Sequence, residues 1–471
     1  MKEFDLVVIG SGPAGEKAAI EGSRMRKSCA IIERHSVQGG VCIHTGTIPS
    51  KTLRETVMYI AGLRQRSVYG LVGGVKSDVS VRELMYRKGQ VIQQELDVIQ
   101  QNMARHQIEV IHGTGVITDP HTVVVSSDDG GTRILRAEVI VIATGTRAYH
   151  PEGIDVDDHF IYDGETILNI DTLPRSLTIV GGGVIGCEYA SIFSHIGVNV
   201  TIVDKRDRLL SFLDNEIADA VTYLMRKYRI NLILGDGHDT VYKEGDQVVT
   251  VTKGGRRVVS DRALITTGRE GNTQNIGLES VDIETDKRGQ ILVDEQYRTN
   301  VPSIYAVGDV IGFPALASVS MDQGRLAAIH AFKEGDRSQI NTLLPYGVYT
   351  IPEVSMVGET EESLSAAGRE YEIGIARYFE LARGQIINDH DGMLKMIVDP
   401  VSRHVLGVHI VGERATEMIH VGQAVMSHSG TVDYFLDTVF NYPTLSEAYK
   451  VAAMDVKARL ESRARHATVP A

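Results

Sequence analysis

A chain of 471 residues, 43% hydrophobic and 23% charged, exceeds what one hydrophobic core sustains, so about three domains of an ordinary globular protein are expected. Its 48 Lys and Arg against 61 Asp and Glu give a formal charge of −13 without a basic run, which argues against a nucleic-acid or anionic-membrane surface. No apolar run reaches membrane-spanning length, the N-terminus lacks a signal-peptide pattern, and Cys29, Cys42 and Cys187 form neither a metal spacing nor an even framework, so a cytoplasmic location is expected.

Residues 5–10 form the continuous apolar run of a buried parallel strand. Gly10-Ser11-Gly12-Pro13-Ala14-Gly15 follows at once, and a helix opens near Glu16. Glycines at these spacings tighten the turn, admit a pyrophosphate against the backbone and let helix and strand pack. The helix N-terminus offers its N–H groups to the phosphates. A second strand over residues 28–32 ends at Glu33, placed to accept from ribose hydroxyls, with Arg34 beside it. Strand, glycine turn, helix and terminal acid together predict a dinucleotide site.

The unit recurs. Ser176–Val180 runs into Gly181-Gly182-Gly183-Val184-Ile185-Gly186, a helix follows through Phe193, and a strand over 198–203 ends at Asp204. Gly10 and Glu33 are 23 positions apart, and so are Gly181 and Asp204. Two such units imply two different dinucleotides held face to face, the arrangement for passing hydride between them. Asp204 suits the ribose 2′-hydroxyl of NAD(H) and repels a 2′-phosphate, whereas Arg206 and Arg208, close to Lys205, could clamp the phosphate of NADP(H). Apolar strands ending at Thr144-Gly145 and at Thr267-Gly268 read as the returns across each bound nucleotide.

The stretch Gly39-Gly40-Val41-Cys42-Ile43-His44-Thr45-Gly46-Thr47-Ile48-Pro49-Ser50-Lys51 resembles a segment of the flavoprotein disulfide reductases, the dihydrolipoyl dehydrogenase-like family. There it carries two cysteines spaced CxxxxC before Ile-Pro-Ser-Lys and lays them beside the flavin. Here Cys42 stands at the outer position and Thr47 replaces the inner sulfur, so no dithiol can form. Ser303-Ile304-Tyr305-Ala306-Val307-Gly308-Asp309 resembles the family's third signature, with a helix starting over residues 315–319. The resemblance implies an α/β fold of two Rossmann-type dinucleotide-binding domains plus a C-terminal α+β dimerisation domain. The implied boundaries are 1–149 with 270–345 for FAD, 150–269 for NAD(P), and 346–471 for dimerisation. FAD would be contacted by Gly10, Gly12, Pro13, Ala14, Gly15, Glu33, Arg34, Gly40, Val41, Cys42, Lys51, Gly115, Thr144, Gly145, Asp309 and Ala317. NAD(H) or NADP(H) would be contacted by Gly181, Gly183, Val184, Ile185, Gly186, Asp204, Lys205, Arg206 and Gly268. Lys51 is expected to pair with Glu188 near the flavin, and Tyr189 to cover the nicotinamide pocket or sit in the core. Cys42 is expected to be structural, and His44 a local hydrogen-bonding residue.

Beyond residue 346, strands are expected at 349–354, 393–398 and 405–412, and the polar tail 461–471 is expected to fray. Dithiol members of the family supply a His-Pro-Thr-x-x-Glu motif across the dimer interface, where the imidazole is a base. In this chain Tyr442 replaces that histidine and Glu447 remains. A phenol of pKa about 10 is a poor proton acceptor at neutral pH. With Thr47 and Tyr442 both altered, dithiol exchange is disfavoured twice. Stretches 46–51, 183–193, 207–210, 412–414 and 440–444 look like the soluble, Si-specific pyridine nucleotide transhydrogenases of the family. The resemblance implies ping-pong hydride transfer between NADPH and NAD+ through FAD, in a homodimer or higher oligomer. Lys51, Glu188, Tyr189, Thr47, Tyr442 and Glu447 are its candidate catalytic residues. A diaphorase or quinone reductase shares every motif and stays open, as does a non-enzymatic flavin-bearing interaction protein.

Overall fold

β1 (Lys2–Ile9) is apolar without alternation in its second half because it lies in the middle of a sheet covered on both faces: Leu6, Val7 and Val8 are wholly buried. It belongs to a computed structural model of the chain, which describes residues 1–64, 80–333, 335–336 and 338–467. β1 pairs in parallel with β2 (Cys29–Glu33), which pairs in parallel with β3 (Glu109–His112). On its other side the sheet continues through β4 (Thr114–Asp119), β5 (Thr122–Ser126) and β6 (Thr132–Ile142), in the order β3-β2-β1-β6-β5-β4. α1 (Pro13–Arg24) follows the glycine turn and lays Ala14, Ala18 and Ala19 into the core. α2 (Gly40–His44), α3 (Thr47–Arg64) and α4 (Val81–Arg105) come next, the last opened by a capping box in which Ser80 and Glu83 serve each other's backbone N–H.

The chain leaves this sheet through β7 (Thr146–Ala148) and builds a second, all-parallel sheet. Its strands are β8 (Ile161–Asp163), β9 (Ser176–Val180), β10 (Asn199–Asp204), β11 (Asn231–Leu234) and, after an antiparallel ribbon, β15 (Arg262–Ile265). The order β11-β10-β9-β15-β8 puts the second glycine turn at the carboxyl end of its central strand, as the first is in its own sheet. α5 (Val184–His195) and α6 (Asn215–Lys227) flank it. The ribbon is β12 (His238–Glu244), β13 (Gln247–Thr252) and β14 (Arg257–Ser260). β16 (Arg269–Gly271) pairs with β7, and β17 (Ile304–Ala306) pairs in parallel with β6, so the chain returns to the first sheet. α7 (Ala317–Phe332) then lies on α1 so closely that a Cβ at Gly324 would come 2.0 Å from the Ala14 carbonyl oxygen.

The third sheet is antiparallel throughout: β18 (Tyr346–Val348), β19 (Glu353–Gly358), β20 (Glu372–Arg377), β21 (Met393–Val398) and β22 (Val405–Gly412), in the order β18-β19-β22-β21-β20. Of the strand expected at 349–354, only Glu353 and Val354 are strand, at the start of β19; residues 349–352 form the irregular link from β18, where Pro352 has no N–H to continue a ladder. Around the sheet lie α8 (Glu361–Ala366), α9 (Ala382–Ile386), α10 (Ala415–Ser427), α11 (Asp433–Asp437) and α12 (Glu447–Ala467). The tail expected to fray from 461 instead continues α12 to Ala467, where Arg463 meets Glu370 at 2.5 Å. Residues 468–471 lie outside the described residues.

Sheets two and three are joined by a buried cation. Lys395, on β21 and wholly buried, reaches Asp214 at 2.8 Å, Glu216 at 3.2 Å and Glu361. Asp214, equally buried, caps α6 through the Glu216 N–H and also accepts from the Glu361 N–H. Removing one partner of such a pair strands the other charge in a low dielectric. Lys395→Met is therefore expected to cost about 3–5 kcal/mol in urea unfolding followed by circular dichroism; a loss below about 1 kcal/mol would contradict this account of the joint.

Candidate active site

Close approach dictates the two glycine turns. Gly10 has φ +106°, and a Cβ there would lie 2.3 Å from the Ala143 carbonyl oxygen; one at Gly15 would lie 2.0 Å from the Gly10 oxygen. The second turn repeats this packing, with Gly181 at φ +114° and 2.5 Å from Thr266 O, and Gly186 at 1.9 Å from Gly181 O. Gly12 differs in kind, since no atom lies within 4 Å of its Cβ position. Its missing side chain leaves space in the cleft above.

That cleft, of about 780 Å³, has the size of a cofactor site. Its wall includes Gly10, Gly12, Pro13, Ala14, Glu33, Arg34, Gly40, Val41, Cys42, Thr47, Gly115, Thr144, Gly145, Asp309 and Ala317, all singled out from the sequence. Gly15 lies behind the turn, packed against Gly10. Glu33 Oε2 accepts from the Ser11 N–H at 3.1 Å and the Ser11 hydroxyl at 2.5 Å, and Oε1 accepts from the His35 N–H at 2.9 Å. The Thr144 hydroxyl is buried in the wall without a partner among the described residues, which fits a bound polar ligand. The open Gly12 position and the unpartnered Thr144 hydroxyl leave room and a hydrogen-bonding group for a bound dinucleotide. Asn272, Gln274 and Asn275 also line the wall and escaped the sequence reading, because they follow β16 without a motif.

At the first residue of α3, Thr47 shares the wall with Cys42 of α2. Burial pushes the Cys42 thiol up, against an opposing hydrogen bond with Thr47, so it stays protonated at neutral pH. Cys29, Cys42 and Cys187 are all free thiols. His44 Nε2 bonds the Gln38 carbonyl at 2.7 Å. Asp309, just below the start of α7, accepts from the Ser320 hydroxyl at 3.2 Å.

The Lys51 ammonium meets Glu188 Oε2 at 2.7 Å, as the sequence leads one to expect. Tyr349 completes this cluster: its backbone N–H donates to Glu188 Oε1 at 2.9 Å, and its ring centre lies 4.9 Å from the ammonium. Nothing in the sequence marks Tyr349, since its hydrogen bond comes from the backbone. Tyr189 is buried beside Phe193, and its hydroxyl donates to the Gly164 carbonyl at 3.2 Å. Tyr442 and Glu447 stand outside the cleft wall of their own chain: Tyr442 is 75% exposed, and Glu447 accepts from the Thr444 N–H.

In the second unit Val184 and Ile185 begin α5, and Gly268 at φ +140° lies between β15 and β16 with open space at its Cβ position. Asp204 is buried and bonded to the Gly182 N–H and to both the backbone and the guanidinium of Arg206. Lys205 lies with its backbone and Cβ against Gly237, and Arg208 reaches Asp219 at 3.3 Å.

Two family models of the pyridine nucleotide-disulphide oxidoreductases match the chain: the main one over residues 4–324, and their dimerisation domain over 344–453. A protein of Mycobacterium tuberculosis (strain ATCC 25177 / H37Ra), named soluble pyridine nucleotide transhydrogenase, is 46% identical over 98% of this chain and 99% of its own length. Proteins of the same name from Pectobacterium atrosepticum and Pseudomonas aeruginosa are each 42% identical over 97% of this chain, covering 98% and 99% of themselves. Among solved structures, LpdA from Mycobacterium tuberculosis superposes with a TM-score of 0.89 at 26% identity, covering 96% of this chain and 99% of that one. The HOCl-induced flavoprotein disulfide reductase RclA from Escherichia coli gives 0.86 at 28% identity with the same coverage. With matching models over most of its length and full-length relatives above 40% identity, the chain belongs to the pyridine nucleotide-disulphide oxidoreductase family.

Proposed function

We propose that this chain is a soluble, FAD-dependent pyridine nucleotide transhydrogenase that passes hydride between NADPH and NAD+ in a ping-pong cycle without a redox disulfide. Thr47 carries the assignment: it occupies the cleft wall beside Cys42, so one sulfur stands where dithiol chemistry needs two. The name borne by the relatives at 42–46% identity agrees with it. Bound FAD supplies the hydride acceptor and donor. The wall from Gly10 to Ala14, with Glu33, Thr144 and Asp309, would hold it. The second glycine unit, from Gly181 to Asp204, would hold the nicotinamide dinucleotide. Lys51, fixed by Glu188 and Tyr349, offers a preoriented cation in a partly buried site, where it stabilises negative charge better than in water.

In the same reading, residues 1–149 with 270–345 form the FAD domain, 150–269 the NAD(P) domain and 346–471 the self-association domain. The exposed Tyr442 and the half-buried Glu447 would face a second copy in a cytoplasmic homodimer. A phenol at that place cannot take a proton at neutral pH as an imidazole can.

Rapid mixing of the flavin-loaded protein with NADH and, separately, with NADPH is expected to bleach the flavin in both cases, and the opposite oxidised nucleotide is expected to restore its colour. No bleaching by NADPH would sink the transhydrogenase assignment, and reoxidation by quinones but not by nucleotides would select a quinone reductase. Lys51→Met is expected to slow flavin reduction about 10- to 100-fold, on the scale of losing one electrostatic contact to developing charge; an unchanged rate would remove Lys51 from the reaction. Gly12→Val, whose side chain meets only cleft space, is expected to abolish flavin retention with the circular dichroism melt preserved. Purified variant with a full flavin complement would show that the cleft is not the flavin site.

A further inference from the structure

Asp204 and Arg206 occupy, in the second glycine unit, the places that Glu33 and His35 occupy in the first. Each acid ends its strand 23 positions after the first glycine. Each accepts from the backbone N–H two residues on, and from the N–H following the first glycine, Ser11 in one unit and Gly182 in the other. The backbone frame is therefore the same, and the difference between the units is one of charge. Among the described residues no cation pairs with Glu33, whereas Asp204 takes Arg206 Nε on Oδ1 at 3.0 Å and Nη2 on Oδ2 at 2.7 Å.

The guanidinium lies at the mouth of the turn. A Cβ built on Gly183 would have Arg206 Nη2, 3.9 Å away, as its single neighbour within 4 Å. The Arg206 side chain is 41% exposed, and its Nη1 group has no partner among the described residues. Its backbone N–H stays fixed on Asp204, so the guanidinium is the movable part. Of the other arginine nearby, Arg208, one end meets Asp219 at 3.3 Å and Nη1 is buried, so the half-exposed Arg206 is the one that faces solvent beside Asp204.

An uncovered acid at this strand end accepts a ribose 2′-hydroxyl and repels a 2′-phosphate. Covered by a forked guanidinium, the same acid is neutralised while donors remain free on the outer side. We propose that Arg206 is the residue through which one nucleotide site serves both NADH and NADPH. With NADPH, the guanidinium keeps its hold on Asp204 and turns its free donors to the 2′-phosphate. With NADH, the ribose hydroxyl takes one of the carboxylate positions that the guanidinium vacates. The first unit needs no such arm, because the adenosine of FAD carries no 2′-phosphate.

This inference rests on the transhydrogenase reading, and its test separates the two. Equilibrium binding of 2′,5′-ADP to the flavin-loaded protein is measured by calorimetry, with dissociation constants for NADPH and NADH from rapid-mixing flavin reduction. Arg206→Gln, which keeps a donor for Asp204 but no charge, is expected to weaken 2′,5′-ADP binding about 10- to 100-fold, the value of a charge-assisted contact. The NADPH-to-NADH ratio of dissociation constants should rise by a similar factor, and Arg206→Lys should recover part of it. Asp204→Asn should move the ratio the opposite way. Equal weakening of both nucleotides by Arg206→Gln, or unchanged 2′,5′-ADP binding, would overturn the proposal. If only one nucleotide reduces the flavin of the unaltered protein, the transhydrogenase reading itself fails; if both do and Arg206→Gln leaves the ratio unchanged, this inference alone fails.

Discussion

Glu188 is the point at which the three sheets meet, and a buried carboxylate there must be satisfied from all sides or the site collapses. Lys51 comes to it from α3 beside the first sheet, Glu188 itself stands on α5 of the second, and the Tyr349 N–H arrives from the approach to β19 in the third. One turn further along α5 the Ser191 hydroxyl accepts from the Ile351 N–H at 3.1 Å, and from α3 the buried Arg54 donates to the Thr350 carbonyl at 3.0 Å. The short segment before β19 is thus pinned residue by residue to the other two sheets. The position of the Lys51 charge relative to the cleft follows from that pinning rather than from α3 alone.

The second constraint is steric. The first and last glycines of each turn have another backbone pressed into the space of a side chain, while Gly12 has nothing there at all. The packing glycines set the angle at which helix leaves strand. Gly12 and the unpartnered Thr144 hydroxyl then bear on what the resulting cleft can accept. Thr47 and Cys42 are carried to the wall by the same geometry, so the substitution that removes one sulfur alters chemistry without altering shape.

Both glycine units were legible in the sequence because their signals are local: apolar strand, fixed glycine spacing and a terminal acid at 23 positions in each copy. The Lys51–Glu188 pair, 137 positions apart, was legible only through resemblance to a known family. Tyr349 was not, since a backbone N–H has no signature of its own. The charges of Asp204, Arg206 and Arg208 were visible, but their pairing was not. Side-chain direction at the end of β10 sends one arginine to the strand end and the other to α6. The apolar and β-branched residues of 349–354 suggested a strand, but the backbone of 349–351 is bonded to Glu188, Arg54 and Ser191 instead of a ladder, and β19 begins only after Pro352. The polar composition of 461–467 concealed a helix continuing outward from a buried first half.

The joint at Lys395 has a consequence for how the molecule responds to its solvent. Counter-ions screen charges they can approach, and Lys395 and Asp214 are withdrawn from them, whereas the nearby Lys227–Asp391 pair between α6 and the approach to β21 is partly exposed. High ionic strength therefore slackens the rim of this seam and leaves its centre intact. The third sheet can loosen at its edge in brine while keeping the register that holds Tyr349 against Glu188.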